Sequence, residues 1–411
     1  MIAVKDSVHD HIEIDGIGAD LIDTPALQRL RRINQMGTVT YVYPSANHTR
    51  FEHSLGVYHI ASQAVEKLDI NGRTAETIRA AALLHDVGHG PYSHNTEAVI
   101  HRHTGRYHDE VLDLLETGAI ASIFEEHGIE PTAVAELIRG DGRYGQLISG
   151  ELDVDRMDYL VRDAHHTGVP YGTIDHERFV RELRYVDGEL VLAPGNVQTA
   201  ESLLLARALM NRAVYNHPTA RISRAMLARA AERLIETGAI DGAGLRRMDD
   251  HDLLVTLRST PATQHTADRL DSRSLFKRAV WAELDDAPDE LLEGEFDDRA
   301  ALETEIAEAA GVDPAAVILD VPPSPSMAES TSRVVVNGEI RPLSSQSALV
   351  RALLTAQRDR WRFGVYTPEE STIAVGRATE RVLGLDIDHL VTDDHWGRPA
   401  TLSEFTEEVD S

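Results

Sequence analysis

The sequence predicts a mostly helical protein, with a small β-hairpin inside its first domain and a smaller α+β domain at its C-terminal end. Three observations support this prediction. Apolar residues recur at helical spacing through most of the first 260 residues. The turn signal Asp187-Gly188 interrupts an alternating run from Leu183 to Ala193, as in a β-hairpin. Beyond residue 260, acidic residues, short β-like runs and a Pro-rich stretch replace the helical pattern.

The predicted elements of the first domain, residues 1–260, are mainly amphipathic helices. Residues 3–14 alternate loosely and predict a short strand or hairpin, and the first helix is expected to end at Gly37. Residues 39–44, rich in β-branched and aromatic side chains, are expected to connect the first two helices. The predicted helices are 25–36, about 48–68, 73–84, 97–101, 107–115, 131–139, 146–163, 197–215 and 221–237.

The second domain is predicted to span residues 261–385, and an acidic tail is predicted at 386–411. Apolar and β-branched runs predict strands at 316–321, 333–336 and 361–365, and helical spacing predicts helices at 345–357 and 368–383. A loop is predicted at 322–326, where three of five residues are proline. This mixture of elements predicts a small α+β accessory domain.

Composition excludes several classes of protein. The chain contains no cysteine, which excludes disulfides, thiolate catalysis and Cys-type zinc sites. A net charge of −28 argues against non-specific binding of nucleic acid or anionic membranes. No apolar run approaches the roughly 20 residues of a membrane helix, and the first residues do not resemble a signal peptide, so we expect a cytoplasmic protein. Only three lysines accompany the excess of acid, which predicts a halophilic surface; a GC-rich genome explains the arginine bias equally well.

The candidate chemistry is concentrated in the first domain, where 16 of the 20 histidines lie within the first 217 residues. His85 and Asp86 end an apolar helical run, just before the helix-stopping residues Gly88, Gly90 and Pro91. The carbonyl end of a helix favours a cation, and so do imidazole and carboxylate ligands. Taken alone, a His-Asp pair is more often a hydrogen-bonded surface or capping pair. Two further stretches, 47–57 and 151–163, extend the pattern to H…HD…D.

These stretches occur in the order that is found in the HD phosphohydrolase superfamily. Within that superfamily, residues 4–217 resemble the sterile-alpha-motif-and-HD-type deoxynucleotide triphosphohydrolases and their archaeal and bacterial relatives. Besides the three metal-motif stretches, the matching segments are 21–25, 28–33, 35–37 and 215–217. The resemblance implies an HD-domain helical bundle and a metal-dependent hydrolase that splits a dNTP into deoxynucleoside and inorganic triphosphate.

By this resemblance, the metal ligands are His53, His85, Asp86 and Asp155. Two imidazoles and two carboxylates suit a divalent ion of manganese, magnesium, iron, cobalt or zinc, and the sequence does not select among them. On spacing alone Asp153 is an alternative to Asp155. The family pattern selects Asp155, and in a helix Asp153 would lie about 200° away from it.

The resemblance also implies roles for residues around the metal. Contacts with phosphate are expected from Arg50, Arg156, Tyr159 and Arg207, and contacts with the sugar from Gln35, Asp163 and Tyr215. His94 is expected to transfer a proton with the support of Glu97 and His108, and His89 is expected to contact a phosphate. Without the resemblance, Arg156 and Arg207 would more simply be surface residues on acidic helices.

A nucleotide activator and a homo-oligomer are further implications. Asp23, Gln28 and Arg31 match positions that bind a guanine nucleotide activator in relatives that assemble as tetramers, although the lysine expected upstream does not align. The same three residues could instead stabilise the fold or a subunit contact.

Two other functions stay open. One is an HD-type nucleoside monophosphate or cyclic nucleotide phosphodiesterase, and the other is a non-catalytic nucleotide-binding regulatory protein. The hypothesis of dNTP hydrolysis is favoured because a monophosphate substrate would not need contacts from Arg156, Tyr159 and Arg207. The complete ligand set argues against a non-catalytic protein.

Overall fold

The computed structural model describes residues 1–186, 188–293, 296–323, 333–336 and 339–385. Contacts between residues divide the chain into two units, which are treated separately below. The first unit comprises residues 1–274 and 326–356, and the second comprises residues 275–325 and 357–411, each as far as it is described. The predicted acidic tail, the turn residue Asp187 and residues 324–326 of the predicted loop lie outside the described residues.

Helices dominate the fold, as predicted. Their bounds are α1 (Gly16–Leu21), α2 (Pro25–Arg29), α3 (Arg50–Lys67), α4 (Gly72–Leu84), α5 (His94–Thr104), α6 (Leu112–Leu115), α7 (Gly118–His127), α8 (Pro131–Ile138), α9 (Gly145–Ile148), α10 (Val154–Thr167), α11 (His176–Glu182), α12 (Val197–Met210), α13 (Pro218–Glu236), α14 (Gly242–Arg247), α15 (Asp250–Ser259), α16 (Pro261–Asp271), α17 (Asp289–Glu293), α18 (Phe296–Ala310), α19 (Leu343–Gln346), α20 (Ala348–Asp359) and α21 (Thr372–Leu383). None of these helices is both long enough and apolar enough to cross a membrane.

Three small sheets accompany the helices in the part of the chain that the structure describes. In the first unit, β1 (Ile2–Asp6) and β2 (Asp10–Ile14) form an antiparallel hairpin, which confirms the predicted strand or hairpin at residues 3–14. The predicted hairpin at 183–193 is also present. It forms half of a four-stranded sheet with the order β3–β4–β7–β8, whose strands are β3 (Leu183–Val186), β4 (Glu189–Leu192), β7 (Arg333–Val336) and β8 (Glu339–Pro342).

The four-stranded sheet joins two distant parts of the chain. Strand β7 pairs with β4 in parallel through Leu192 and Val334, and β8 pairs with β7 in antiparallel fashion. Residues 326–356 therefore belong to the first unit, as do residues 261–274. This division differs from the sequence-based boundary at residue 260, because strand pairing across about 140 residues leaves no local signal in the sequence.

The second unit, by itself, is a small α+β structure. Its sheet has the order β5–β9–β6, formed by β5 (Lys277–Glu283), β9 (Arg362–Thr367) and β6 (Ile318–Asp320). Val280, Phe363 and Val365 of this sheet are buried together with residues of α18 and α21 such as Ile306 and Val375. Strand β5 and helix α18 are absent from the sequence-based prediction.

Two predicted helices are interrupted in the structure. Helix α2 ends at Arg29 and is followed by a 3₁₀ turn. The chain after this turn is hydrogen-bonded to the segment before α3, because Gln35 donates its backbone N–H to the carbonyl of His48 over 3.0 Å. The predicted helix 146–163 is divided into α9 and α10. The two helices are separated by residues 149–153, of which the last, Asp153, is the N-cap residue of α10.

Helices α3 and α4 form the centre of the first unit and bring the candidate ligands to it. Helix α3 begins at a capping box, in which Thr49 and Glu52 satisfy each other's backbone N–H groups. Helix α4 is almost wholly buried over its last five residues, 80–84, and stops where the glycines predict. The first turn of α3 and the end of α4 are thereby held by core packing.

Candidate active site

The four predicted metal ligands lie together in the structure. His53 comes from α3, His85 and Asp86 follow α4, and Asp155 lies in the first turn of α10. The Nε2 atom of His53 is 2.8 Å from Asp155 Oδ1, 3.2 Å from His85 Nε2 and 3.8 Å from Asp86 Oδ2. His53, His85 and Asp86 are buried, whereas 34% of the Asp155 side chain is exposed. The cluster is therefore open to solvent on the side of α10.

The hydrogen bonds of the two imidazoles direct their free nitrogens into the cluster. His85 Nδ1 lies 2.8 Å from the carbonyl oxygen of Ala82, and His53 Nδ1 lies 2.7 Å from a carboxylate oxygen of Asp158. Because both oxygens only accept, each Nδ1 is a donor, and the Nε2 atom of each ring faces the cluster. Two such nitrogens facing each other beside two carboxylates are the donor set of a divalent cation.

The electrostatics of the cluster favour a positive charge. Burial alone would lower the pKa of His53, but its hydrogen bonds with Asp155 and Asp158 raise that pKa to about 10. Burial works against ionisation of Asp86, yet the charges of Arg50 and His85 hold its pKa well below the usual range. The pKa of Asp155 is also lowered despite burial, mainly by His53. The residues present therefore fit a metal ion.

The Arg50 side chain contacts Asp86, one of the predicted metal ligands, and does not extend into open space. Its Nη1 donates to Asp86 Oδ2 over 2.9 Å, its Nε donates to Ser93 Oγ over 2.9 Å, and its Nη2 donates to the carbonyl of Gln35 over 3.3 Å. The predicted contact of Arg50 with phosphate stays a prediction. The side-chain Oε1 of Gln35 is buried and has no partner among the described residues, which leaves an acceptor for a ligand hydroxyl.

The predicted second histidine layer is also assembled. Glu97, on α5, accepts hydrogen bonds from Nδ1 of His94, over 2.6 Å, and from Nδ1 of His108. His89 stacks on His108, with ring centroids 4.1 Å apart, and meets His94 edge-on. These four side chains each offer one ligand atom within 4.8 Å of the others, so they could also hold a cation.

The charges within this layer differ from residue to residue. Burial, together with the nearby Arg50, holds the pKa of His89 well below its usual value, so His89 is neutral. Burial opposes a charge on His108, but the hydrogen bond with Glu97 raises its pKa above the usual value. Burial likewise opposes ionisation of Glu97, whose pKa is nevertheless lowered by His108 and His94. More than half of the His94 side chain, 56%, is exposed, so its Nε2 is accessible to a ligand.

Two of the three residues predicted to contact the sugar, Asp163 and Tyr215, belong to one hydrogen-bond network. Asp163 accepts a hydrogen bond from His48 Nε2 over 2.8 Å and another from the Tyr215 hydroxyl over 2.7 Å. Tyr215 is the last residue of a π-helical turn, 211–215, that continues α12. Turns of this kind are frequent at functional sites. The ring of Tyr159 lies between Tyr215 and His53, with centroid distances of 6.3 and 6.5 Å.

The two arginines predicted to contact distal phosphates lie near this network. Burial raises the pKa of Tyr159 to about 12, and the charges of Arg207 and Arg156 oppose that rise. Arg207 has the same effect on Tyr215. Arg156 donates from Nη1 to the carbonyl of Glu151 over 2.8 Å. The structure thus brings Arg156 and Arg207 near Tyr159, whose ring is 6.5 Å from that of His53, and their contact with phosphate stays a prediction.

Asp153, the alternative ligand, has a different function in the structure. It is extended rather than helical, and its carboxylate accepts the backbone N–H of Arg156 over 2.7 Å and that of Gly150 over 2.8 Å. Asp153 is therefore a capping residue. Asp155, two residues further on, is the carboxylate that contacts His53.

The predicted activator residues lie at the surface. Gln28 donates to the carbonyl of Ile22, and its Oε1 accepts a hydrogen bond of 2.8 Å from Arg31 Nε. The Arg31 guanidinium lies 3.6 Å above the ring of Phe51. Asp23 is exposed at the end of α1. An activator at this position stays a prediction.

The sequence analysis missed Asp158, His9 and Arg162, which surround the far side of His53. Asp158 accepts from both His53 and His9, and Arg162 donates to it. Arg162 follows Asp158 by four residues, a spacing that pairs opposite charges on a helix and could have singled them out. The approach of His9, 149 residues away, leaves no local signal.

Comparisons with known proteins match this geometry. A family model described as HD domain matches residues 50–163, and one described as HD associated region matches residues 174–394. An uncharacterized protein of Methanocaldococcus jannaschii is 34% identical, with 90% of this chain and 80% of that protein covered. Human deoxynucleoside triphosphate triphosphohydrolase SAMHD1 is 30% identical, with 59% and 46% covered. A phosphohydrolase crystal structure from Bacteroides thetaiotaomicron is 27% identical, with 90% and 100% covered and a TM-score of 0.72.

Proposed function

Because the chain belongs to the HD-domain phosphohydrolases that have an HD-associated region, we propose that it is a metal-dependent dNTP triphosphohydrolase. Its products would be a deoxynucleoside and inorganic triphosphate. The observation that supports this most is that α10 connects the two halves of the site. Asp155 contacts the ligand His53, and Asp163, two turns later, binds Tyr215.

The ligand cluster would hold a divalent ion through His53, His85 and Asp86, and through Asp155, whose Oδ1 lies 2.8 Å from His53 Nε2. When bound, such an ion supplies a positive charge that polarises a phosphoryl group and lowers the pKa of water. Arg50 keeps Asp86 oriented and ionised through its Nη1 hydrogen bond.

His94 is the proposed proton donor. In its protonated form, His94 keeps its Nδ1–H on Glu97 and carries a second proton on the exposed Nε2, which it donates to the 5′ oxygen that leaves the α-phosphorus. His108 shares the same carboxylate and keeps it from turning. Water adds to phosphorus, the bond from phosphorus to the 5′ oxygen breaks, and the Nε2 proton of His94 completes the nucleoside hydroxyl. The proton that the water loses restores the protonated form of His94.

Arg156, Tyr159 and Arg207 are the proposed contacts for the triphosphate, because the charges of both arginines act on Tyr159 and the Tyr159 ring is 6.5 Å from that of His53. The Tyr215 ring, fixed by its hydroxyl on Asp163, would close the sugar pocket beside Gln35. Human SAMHD1, at 30% identity, is named for the same reaction.

The Arg207→Leu variant separates this proposal from a monophosphate or cyclic nucleotide phosphodiesterase. Loss of Arg207 is expected to slow triphosphate hydrolysis about 100-fold and to change monophosphate hydrolysis little. Arg212→Leu removes an exposed arginine five residues later and serves as the matched control. Equal losses on both substrates would favour the phosphodiesterase.

Product analysis tests the proposal directly. Purified protein is incubated with the four dNTPs and manganese or magnesium at high salt, with and without GTP, and the products are separated. Deoxynucleoside plus triphosphate, abolished by Asp86→Ala, is the expected result, and stimulation by GTP would support an activator near Asp23, Gln28 and Arg31. Release of pyrophosphate and monophosphate, or cleavage of monophosphate substrates only, would contradict it. Binding without turnover in every divalent metal would favour a regulatory protein.

A further inference from the structure

The carboxylate of Asp158 is completely buried and is held by three side chains. Its Oδ2 lies 2.7 Å from His53 Nδ1, and its Oδ1 lies 2.6 Å from His9 Nε2. Arg162 donates to both oxygens, over 2.9 and 3.0 Å. Since a carboxylate only accepts, His53 and His9 are both donors to it. Each carboxylate oxygen thus accepts two hydrogen bonds, and the carboxylate cannot rotate without breaking at least one of these hydrogen bonds.

The N-terminal hairpin takes part in this arrangement. His9 lies in the turn between β1 and β2, and its side chain is buried against Asp158. Asp6, at the end of β1, accepts two hydrogen bonds from Arg162 and two from the backbone N–H groups of Val8 and His9. The turn is therefore shaped by the same arginine that binds Asp158.

Helix α3 leaves room for Asp158 at a glycine. Gly56 lies three residues after His53, and a Cβ atom at that position would be 1.9 Å from Asp158 Oδ1. Any side chain at residue 56 would displace the carboxylate from His53. The close approach of α10 to α3 thus depends on Gly56.

We propose that Asp158 is a positioning residue for the metal centre and that His9 joins the N-terminal hairpin to it. A carboxylate on Nδ1 fixes the tautomer and the ring orientation of a histidine ligand and makes its Nε2 a better donor to a metal. His9 and Arg162 hold that carboxylate in place. The proposal rests on the proposed function only in taking His53 as a metal ligand.

The test is the dissociation constant for Mn²⁺, measured by titration of metal-stripped protein without nucleotide. Asp158→Asn is expected to weaken Mn²⁺ binding about 10- to 100-fold. Both carboxylate oxygens of Asp158 accept hydrogen bonds, and the amide would place an NH₂ group, which cannot accept, opposite one of the donors. His9→Leu is expected to weaken binding about 3- to 10-fold, and His9→Gln, which keeps a donor, about twofold or less. His59→Phe is the matched control, since its ring is 5.2 Å from that of His9 but its hydrogen bond is to Gln63.

Each outcome decides for or against the proposal. Weaker binding in Asp158→Asn and His9→Leu, with recovery in His9→Gln and no change in His59→Phe, supports it. Unchanged Mn²⁺ affinity in Asp158→Asn overturns it. If Asp158→Asn does not fold, the comparison of His9→Leu with His9→Gln decides, and equal affinities of these two variants overturn the proposal. Because no nucleotide is present, a wild-type protein that binds Mn²⁺ but hydrolyses no dNTP would refute the proposed function alone.

Discussion

At the scale of single residues, the chemistry of the site depends on which atom of each side chain is already bound within the protein. His53 and His85 each use Nδ1 internally and present Nε2 to the cluster. His94 follows the same rule, with Nδ1 on Glu97 and an exposed Nε2. In each of these three histidines an acceptor oxygen therefore fixes the Nδ1–H and, with it, the direction of Nε2.

Glu97→Gln tests this rule at the proposed proton donor. The amide has one acceptor oxygen where the carboxylate has two, so His94 and His108 cannot both donate to it. We expect kcat for dNTP hydrolysis to fall about 100-fold while KM changes by about threefold or less. Steady-state kinetics provide the measurement. Glu125→Gln, an exposed residue of α7, is the control, and a loss confined to KM would contradict the prediction.

At the scale of elements, the start of α5 positions His89 and His94. Tyr92 and Ser93 both have a φ of +57°, which is strained for residues other than glycine. The strain is sustained by hydrogen bonds from outside the segment. Asp250, on α15, accepts the backbone N–H of Tyr92, and Arg29 donates to the carbonyls of Val87 and His89.

Removal of Asp250 is expected to release this turn. Asp250→Ala leaves the buried N–H groups of Tyr92 and Asn34 without their acceptor, at a cost of about 2 kcal/mol in the free energy of unfolding. We also expect kcat to fall, because His94 begins the helix that follows the turn. Urea unfolding and kinetics measure the two effects. His251→Ala changes the exposed neighbour and should alter neither; similar losses in both variants would show that the effect is not specific to the turn.

At the scale of the whole molecule, the first unit depends on contacts between distant parts of the chain. Its candidate metal cluster collects side chains from α3, from the residues after α4 and from α10. Its four-stranded sheet joins β3 and β4 to β7 and β8. Two consequences for stability follow, one from the carboxylates around His53 and one from the stacked rings of His48 and His166.

Metal removal is expected to destabilise the protein. Asp86, Asp155 and Asp158 surround His53, and their mutual repulsion is relieved by a bound cation. At 100 times its dissociation constant, Mn²⁺ should add about 2.7 kcal/mol to the free energy of unfolding, and EDTA should remove that gain. Thermal unfolding with each addition measures the difference. Asp86→Ala should show no such response, and an equal Mn²⁺ effect in this variant would place the ion elsewhere.

A pH dependence is expected from His166, which stacks on His48 with a centroid distance of 4.4 Å. Burial and the nearby His48 lower the pKa of His166 to about 4. Between pH 6.5 and 4 the unfolded chain binds the proton and the folded protein does not, so stability falls as the pH falls. Because His166 is only half-buried, we expect a loss of about 1 kcal/mol between pH 7 and pH 5.

The His166→Phe variant isolates this effect, since phenylalanine keeps a ring on His48 but does not titrate. The free energy of unfolding in urea is measured at pH 7 and pH 5 for wild type, His166→Phe and the exposed control His165→Phe. Wild type and the control should lose about 1 kcal/mol more than His166→Phe. Equal losses in all three would show that other groups determine the acid sensitivity.

The sequence by itself determined the features that depend on neighbouring residues. Helix α4 and its stop before Gly88, the hairpin around Gly188 and the mostly helical fold were predicted from periodicity and turn residues, because these interactions act over a few positions. The resemblance of the motif stretches to the HD superfamily also predicted His53, His85, Asp86 and Asp155 as one cluster, and the structure brings them together.

Only the tertiary structure decided what meets across long separations. The break of the predicted helix before Asp153, the pairing of β4 with β7 and the hydrogen bonds from Asp158 to His53 and His9 all depend on how elements pack. A helical pattern shows which residues share a face, but not which distant side chain meets that face. In the sequence pattern, Asp158 is one of several acidic residues of α10. Its position beside His53 follows from the close approach of α10 to α3 at Gly56.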